Sequence, residues 1–353
     1  MASVTFHEAR VSGIDRMTDD AVCVTLSLPD DVRPDFLHVP GQHLTFRTMI
    51  DGSDVRRSYS ICSLPGEPPS VGVKRLAGGT FSTFVNDTLA IGDVLEVTTP
   101  TGEFTLDPDP TATRHHVAFA AGSGITPVLS MVRSVLEGEP SSTFTIVYGN
   151  RTGQSVMFLD VLDDLKNEHP DRLMVFHVLS REEQFAPLLS GRIDADRVER
   201  LLATVIDAAS VAGWYLCGPR GMVDTVRATL HETGIDERLI HDELFYAGDV
   251  TESSVVEDDV DGASVRFTLG GRTSTVRVAL DGAPILDHVL SVRPDGPFSC
   301  RSGACASCRA VVVSGEVRMD RNWSLGGDEV DAGHILTCQA HPVSDTVEIT
   351  YDV

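Results

Sequence analysis

Four cysteines in the last part of the chain have the spacing of an iron–sulfur ligand set. Cys300, Cys305 and Cys308 are separated by four and two residues, and Cys338 stands further along the chain. This C-x4-C-x2-C spacing with a distant fourth cysteine is typical of plant-type 2Fe–2S clusters. A structural zinc site is the alternative, although zinc ribbons usually bring two C-x2-C pairs and this chain has one. We therefore predict a 2Fe–2S cluster, which carries one electron at a time.

Composition and charge argue against several classes of partner. The chain has 353 residues and a net charge of −24, whereas nucleic acids and anionic membranes are bound by basic surfaces. Its apolar runs are too short to span a bilayer, and its N-terminus lacks the pattern of a signal peptide. Cys23, Cys62 and Cys217 are scattered like free thiols in a reducing compartment. We expect a cytoplasmic protein of two or three domains that binds neither nucleic acid nor membrane.

Residues 1–110 are rich in short strand patterns. Val22–Leu28 alternates apolar and polar residues, and His43–Thr48, Val71–Arg75 and Val94–Thr98 are further β-like runs between glycine-containing turns. Many short strands with little helix predict a small antiparallel barrel.

Two motifs in this segment suit a flat, phosphorylated cofactor. Residues 56–60 read RRSYS, and we expect their arginine, tyrosine and serine to share one face of a strand. An arginine fork suits a pyrophosphate, an aromatic ring stacks on a flat ring system, and a hydroxyl donates a hydrogen bond. Gly78 and Gly79 precede a predicted helix over Phe81–Leu89, where backbone amides can bind an anion. Each motif is weak evidence by itself.

Residues 111–246 alternate strand and helix, which predicts a parallel sheet with crossover helices. Gly122 and Gly124 follow the first predicted strand and open a helix, as in a dinucleotide phosphate loop. Cys217, Gly218 and Pro219 end a later strand at the carboxyl edge, where ligands bind in such sheets. For Cys217 the alternative is a buried, small apolar side chain.

The second strand of this segment ends where an adenosine ribose would lie. Arg151 and Ser155 follow it and are candidates to contact a 2′-phosphate. No acidic residue comes directly after this strand to hold a free ribose diol. The pattern therefore favours NADPH over NADH, although Arg151 has the alternative of being an ordinary surface arginine.

The last part of the chain predicts a tether and a third domain. Residues 247–262 contain six acidic residues and no lysine or arginine, a composition typical of a mobile linker. Residues 263–353 then show a hairpin pattern, a predicted helix over Ile285–Val292, the cysteine loop and a strand over Arg309–Val313. This length and order fit a β-grasp ferredoxin domain.

In this order the motifs resemble the ferredoxin–NADP reductase superfamily, whose barrel binds FAD. The resemblance implies that Arg57 lies at the FAD phosphates, Tyr59 on the isoalloxazine ring and Ser60 at its reactive ring nitrogen. It also implies that Gly79 and Ser82 complete the phosphate site.

The same resemblance implies an NAD(P) site in residues 111–246. The GxGxTP loop of the superfamily, here Gly122, Gly124 and Thr126, binds the pyrophosphate. Cys217, Gly218 and Pro219 lie beside the nicotinamide, so that Tyr59, Ser60 and Cys217 are the expected catalytic residues. Glu243 and Phe245 are expected to close the flavin site, with an ordinary strand end as the alternative.

Across nearly its whole length the chain resembles the reductase components of phenylacetyl-CoA epoxidases and, next, those of 3-ketosteroid 9α-hydroxylases. The matching stretches include PGQHLT, RRSYSIC, AGSGITP, YLCGP and NWSLGGDEVDAGHILTCQA. The resemblance implies that electrons pass from NAD(P)H through FAD and the cluster to a partner oxygenase. Arg301 and Ser302 depart from the expected lysine–glycine type pair, and we expect the surface around them to choose that partner. A stand-alone flavin oxidase and a non-catalytic redox sensor with structural zinc are the alternatives.

Overall fold

The computed structural model describes residues 5–244 and 262–352. They form two compact units, one made chiefly of residues 7–244 and the other chiefly of residues 262–352. The predicted acidic linker falls almost entirely outside the described residues. Within the described part of the chain, the helices are too short or too polar to cross a lipid bilayer.

The first sheet is antiparallel and has six strands in the order β4-β3-β6-β1-β2-β5. Side chains alternate between buried and more exposed positions along β2, as expected for a strand with one face on a core. The strand β1 was not predicted, because its inward-facing residues are interrupted by charged ones. The elements are β1 (His7–Thr18), β2 (Ala21–Ser27), β3 (His43–Ile50), β4 (Ser53–Ser60), β5 (Ser70–Lys74), α1 (Thr80–Asp87) and β6 (Val94–Val97).

The second sheet is parallel, with the strand order β11-β10-β7-β8-β9. The order reverses at β7, and a parallel sheet binds ligands at the carboxyl end of such a switch point. The elements are β7 (His115–Ala121), α2 (Ile125–Gly138), β8 (Thr143–Asn150), α3 (Leu159–Glu168), β9 (Leu173–Leu179), α4 (Ala195–Thr204), β10 (Val211–Gly218), α5 (Arg220–Glu232) and β11 (Ile240–Leu244).

The first and second sheets share a hydrophobic core. Phe104 and Leu106, which follow the first sheet, pack with residues of α2 such as Val128 and Met131. Burying side chains of this size contributes about 1.5–3 kcal/mol each. The other face of the second sheet has its own core, which includes Phe119 and is covered by α4 and α5. The carboxyl edge of the second sheet is therefore held firmly beside the first sheet.

The third sheet is mixed, with the order β13-β12-β18-β14-β16, and a two-stranded sheet of β15 and β17 accompanies it. Ile285 and Val289 of α6 pack into the core of this sheet. The elements are β12 (Ala263–Leu269), β13 (Arg272–Val278), α6 (Ile285–Val292), β14 (Arg309–Ser314), β15 (Val317–Met319), α7 (Gly327–Asp331), β16 (His334–Leu336), β17 (Ala340–Pro342) and β18 (Thr346–Thr350).

Candidate functional site

The loop between β7 and α2 has the geometry of a phosphate-binding loop. Gly122 has a φ of +55° and open space where a side chain would lie. The hydroxyl of Tyr148 donates a hydrogen bond of 2.9 Å to the Gly122 carbonyl and holds the loop. No side chain caps this turn or the N-terminus of α2, and the Ile125 amide already donates to the carbonyls of Gly122 and Ser123, so the amides around Gly122 and Gly124 are the ones that an anion would meet. Tyr148 was not predicted, because its role depends on the neighbouring strand.

Gly124 brings this loop directly against the end of β10. A Cβ atom on Gly124 would lie 2.1 Å from the carbonyl oxygen of Cys217 and 2.9 Å from the amide nitrogen of Gly218. The tertiary structure thus joins the two glycine-containing motifs of the second sheet at one edge. Pro219 follows immediately and precedes α5.

Thr126 faces the protein interior and not an open site. Its side chain is buried, and its hydroxyl donates to the Ser123 carbonyl at 2.9 Å. A Cβ atom on Gly72 of β5 would lie 2.7 Å from the methyl group of Thr126. The threonine therefore fixes the loop against the first sheet.

Ser60, at the end of β4, belongs to a polar cluster beside Cys217. Its hydroxyl donates to Oε2 of Glu243 at 3.0 Å, and Nδ1 of His43 lies 3.7 Å from Oε1 of the same carboxylate. Glu243 stands on β11 in register with Cys217 on β10. His43 was not predicted as part of this site, since nothing in the sequence links it to Glu243. Phe245 lies outside the described residues.

The thiol of Cys217 is completely buried in this cluster. Burial raises its pKa well above the usual range, and the carboxylates of Glu243 and Asp242 add to this effect. The side chain at this edge is therefore a neutral thiol at physiological pH.

Tyr59 and Ser60 project to opposite faces of β4, as consecutive strand residues must. Tyr59 packs with its ring 5.8 Å from that of Phe46 and 5.6 Å from that of Phe81, whereas Ser60 turns to Glu243. The expectation that arginine, tyrosine and serine share one face is therefore wrong for Ser60. The half-buried Arg57 donates a hydrogen bond of 2.6 Å to the Arg56 carbonyl.

The glycine pair before α1 forms a second helix N-terminus that no side chain caps. Ser82 shapes this turn from within. Its hydroxyl accepts from the Leu76 amide at 3.0 Å and donates to the Gly79 carbonyl at 3.2 Å. The backbone amides at the start of α1, and not the Ser82 hydroxyl, are thus the groups available to a phosphate.

The loop after β8 carries an acidic neighbour that the local sequence does not reveal. Glu182, from the loop after β9, accepts a hydrogen bond of 2.8 Å from the Gly153 amide. Ser155 is occupied by its own turn, because its hydroxyl exchanges hydrogen bonds with the backbone of Thr152. Arg151 is exposed. An acidic residue therefore lies beside this loop, supplied by the loop that follows the neighbouring strand β9.

The four cluster cysteines meet in two pairs. The thiols of Cys300 and Cys305 contact each other, as do those of Cys308 and Cys338. Among the described residues, no group of three or more histidine, cysteine or acidic side chains converges as for a single ion. Two pairs of thiols suit two irons, each iron taking one pair.

The backbone around these sulfurs is shaped to donate to them. The Cys300 amide lies 3.4 Å from the Cys305 sulfur and the Ser302 amide 3.4 Å from the Cys300 sulfur. Arg301 and Ala306 have φ values of +54° and +51°, a strained conformation that turns the amides inward. Hydrogen bonds from Cys305, and then from Ser302, lower the pKa of Cys300 well below its usual range, whereas the hydrogen bond to Cys300 and burial raise the pKa of Cys305.

The pair Arg301 and Ser302 is not an open surface. Ser302 is buried, and Arg301 forms an ion pair with the buried carboxylate of Asp287. The Arg301 carbonyl also accepts from the Gln339 amide group at 2.9 Å. Both residues therefore serve the loop itself, and the expectation that the surface around them selects the partner stays a prediction.

Three family models match the chain in the predicted order. They describe an oxidoreductase FAD-binding domain over residues 8–106, an oxidoreductase NAD-binding domain over residues 119–228 and a 2Fe–2S iron–sulfur cluster binding domain over residues 267–343. The zinc alternative is thus not supported. The chain belongs to the family of flavin-dependent reductases that join FAD-binding, NAD-binding and C-terminal 2Fe–2S domains.

Relatives of known function are oxygenase reductases. A component of 1,2-phenylacetyl-CoA epoxidase from Escherichia coli K12 is 38% identical over 99% of this chain and 98% of its own. The ferredoxin reductase component of 3-ketosteroid-9-alpha-monooxygenase from Rhodococcus rhodochrous is 33% identical over 97% of this chain and 95% of its own. The chain is thus an oxidoreductase that transfers electrons from NAD(P)H to a 2Fe–2S cluster as the reductase component of a multicomponent oxygenase.

Solved structures agree with this assignment. Phthalate dioxygenase reductase covers 98% of both chains with a TM-score of 0.58 and 25% identity. A type IV self-sufficient cytochrome P450 monooxygenase has a TM-score of 0.68 and 25% identity, and this chain spans 41% of that longer protein. The predicted fold class, with an antiparallel FAD-binding domain, a parallel NAD(P)-binding domain and a C-terminal ferredoxin domain, is confirmed.

Proposed function

We propose that this chain is the reductase of a phenylacetyl-CoA epoxidase and delivers electrons from NADPH to its oxygenase component. The observation that carries the proposal is the 38% identity to a component of such an epoxidase over 99% of the chain. A full-length match includes the ferredoxin domain, which is the part that must meet the oxygenase. The reductase of a 3-ketosteroid 9α-hydroxylase is the second candidate, supported by 33% identity over 97% of the chain.

FAD would be held by the first sheet. Arg57 and the uncapped amides at the start of α1 bind its phosphates, with Gly79 and Ser82 shaping that turn. Tyr59 supports the flavin ring. When bound, FAD would supply the link between the two-electron donor NAD(P)H and the one-electron capacity of the cluster.

Ser60, Glu243 and His43 would manage a proton beside the flavin. The Ser60 hydroxyl already donates to Glu243, whose other carboxylate oxygen faces His43. The chain of three side chains therefore leads from the end of β4 toward the ring of His43. Neutral Cys217 sits in register with Glu243 and packs the nicotinamide side without adding charge.

The nucleotide would lie along the carboxyl edge of the second sheet. Gly122, Gly124 and the start of α2 bind its pyrophosphate, Thr126 fixes that loop, and Gly218 and Pro219 leave room beside the nicotinamide. Arg151 binds the 2′-phosphate of NADPH next to the turn that Ser155 closes. Glu182 opposes this preference, because its carboxylate occupies the Gly153 amide.

The cluster would be the exit for electrons, held by Cys300, Cys305, Cys308 and Cys338. The Cys308→Ser variant separates the two halves of the route. NADPH-dependent reduction of ferricyanide, which accepts electrons directly from the flavin, should persist, whereas electron delivery to the oxygenase should be lost.

The oxygenase assignment is tested by reconstitution with purified partners. The reductase is mixed with the oxygenase component of a phenylacetyl-CoA epoxidase or of a 3-ketosteroid 9α-hydroxylase, and product formation per NADPH consumed is measured with each substrate. Coupled epoxidation of phenylacetyl-CoA supports the proposal. Coupled turnover with the steroid system alone would transfer the assignment to the second candidate, and NADPH oxidation without product in both would refute each.

A further inference from the structure

Two cysteines outside the cluster set meet in the first compact unit. Cys23 lies on β2, and Cys62 lies two residues beyond the end of β4. Their sulfur atoms are 4.0 Å apart. Cys62 is buried, whereas Cys23 is partly exposed, so the pair can be reached from one side.

The strand pairing explains how the thiols meet. Cys23 pairs with Gly72 of β5, and the Cys62 amide donates to the Ser70 carbonyl on the other side of β5. Residues directly opposite in antiparallel strands project to the same face. Both thiols therefore project to the face of β5 that Gly72 occupies, and because glycine has no side chain they can approach each other across it.

The spacing is too wide for a disulfide and suitable for a metal. A disulfide bond is about 2.05 Å long, so the sulfurs would have to move together by about 2 Å while their backbones stay on opposite sides of β5. Two metal–sulfur bonds of about 2.3 Å span about 3.8 Å at a tetrahedral angle and about 4.6 Å in a straight line. The observed 4.0 Å is about 0.6 Å short of the straight-line span of a two-coordinate ion, so the sulfurs need to move apart by much less than a disulfide would require them to close.

The surroundings favour a soft ion with a neutral complex. Cys62 belongs to the hydrophobic core shared by the two sheets, as do Met157 and Phe158, and Cys23 packs against this core. Thiolates select soft ions. A mercuric ion that replaces the two thiol protons forms two S–Hg bonds and leaves no net charge in this apolar place, with two protons released.

We propose that Cys23 and Cys62 form a two-coordinate binding site for thiophilic metal ions, separate from the four cluster cysteines. Both sulfurs bind one ion, and the partly exposed Cys23 provides the entry. The site ties β2 to the segment that follows Ser60.

The test is a titration of the complete flavin- and cluster-loaded protein with mercuric chloride in the presence of a monothiol competitor. Native mass spectrometry counts bound mercury, and the visible absorption of the cluster is followed in the same samples. We expect one mercury per chain at the first equivalent, with two protons lost and the cluster absorption unchanged. Cys23→Ser and Cys62→Ser should each weaken retention by about a hundredfold or more, because a single thiol loses the effective concentration of the second.

Cys217→Ser is the matched control, since it removes a buried non-cluster thiol and should retain the first mercury like the wild type. Retention by Cys23→Ser equal to that of the wild type would refute the proposal. So would loss of cluster absorption at the first equivalent. Cys23 is partly exposed, so its serine variant decides the question even where Cys62→Ser does not fold.

Discussion

Gly124→Ala tests whether the phosphate loop and the end of β10 form one site. The new Cβ would lie 2.1 Å from the Cys217 carbonyl oxygen, where an ordinary contact begins at 3.4 Å. The new Cβ and the carbonyl oxygen would therefore have to move apart by about 1.3 Å. Neither β10 nor α2 can shift easily, because β10 is paired with β7 and β11 on its two edges and α2 is packed into the shared core.

Two magnitudes follow from this clash. Overpacking of a well-packed site costs about 1–3 kcal/mol, and we expect the upper end because the opposing atoms are backbone. For a unit of the size of residues 7–244, in which Gly124 lies, the upper end corresponds to a loss of roughly 6–12 °C in Tm. Moving a substrate-positioning loop by about 1 Å is also expected to slow the reaction on the order of a hundredfold.

The assay is NADPH-dependent reduction of ferricyanide, together with thermal unfolding of the loaded protein. Gly221→Ala is the matched control, because an added Cβ there meets nothing within 4 Å and the residue lies in the first turn of α5. It should keep full activity and gain up to about 1 kcal/mol from alanine's helix propensity. If Gly124→Ala matches this control in both rate and Tm, the close approach of the two motifs is refuted.

Three further predictions address the proton cluster, nucleotide choice and pH. Ser60→Ala should lower kcat by roughly 10–100-fold with little change in the KM for NADPH, as for loss of a proton-transfer group. An unchanged rate constant for flavin reduction by NADPH, measured by stopped flow, would exclude that role. Glu182→Gln should raise the ratio of kcat/KM for NADPH over NADH by about tenfold, because it removes a negative charge. Glu183→Gln, the control at the neighbouring position, should leave this ratio unchanged. Equal ratios in the two variants would contradict the role of Glu182. Burial by itself would raise the pKa of Glu139, but hydrogen bonds from Arg114 and Ser142 outweigh burial and lower the pKa to about 2. The ionised carboxylate therefore stabilises the fold above pH 4.5, and this contribution is lost as the pH falls toward 2. Glu139→Gln should therefore lower the free energy of unfolding by about 3 kcal/mol at pH 7, and this free energy should fall less steeply below pH 4.5 than in the wild type. Denaturant unfolding at several pH values measures both effects. A parallel decline in the variant and the wild type would count against this role of Glu139.

Much of the fold could be predicted, because its elements follow local patterns. The strands and helices of residues 111–246 were expected close to where they lie, as the predicted strand and the observed β9 over Leu173–Leu179 illustrate. Strand β1 was missed, since its twelve residues mix charged and apolar side chains, although it lies inside the sheet between β6 and β2. Thr126 and Ser82 were expected to face ligands, yet each hydroxyl is engaged by its own turn.

The sequence alone determined the chemistry: the spacing of Cys300, Cys305 and Cys308 specifies a cluster loop, and the glycine motifs predict helix starts suited to phosphates. These are short-range properties, set by residues within a few positions of each other. The tertiary structure alone decided which distant groups meet. Glu243 reaches Ser60, Glu182 reaches Gly153, and Cys23 meets Cys62, because strand order and register bring together residues that the chain separates widely.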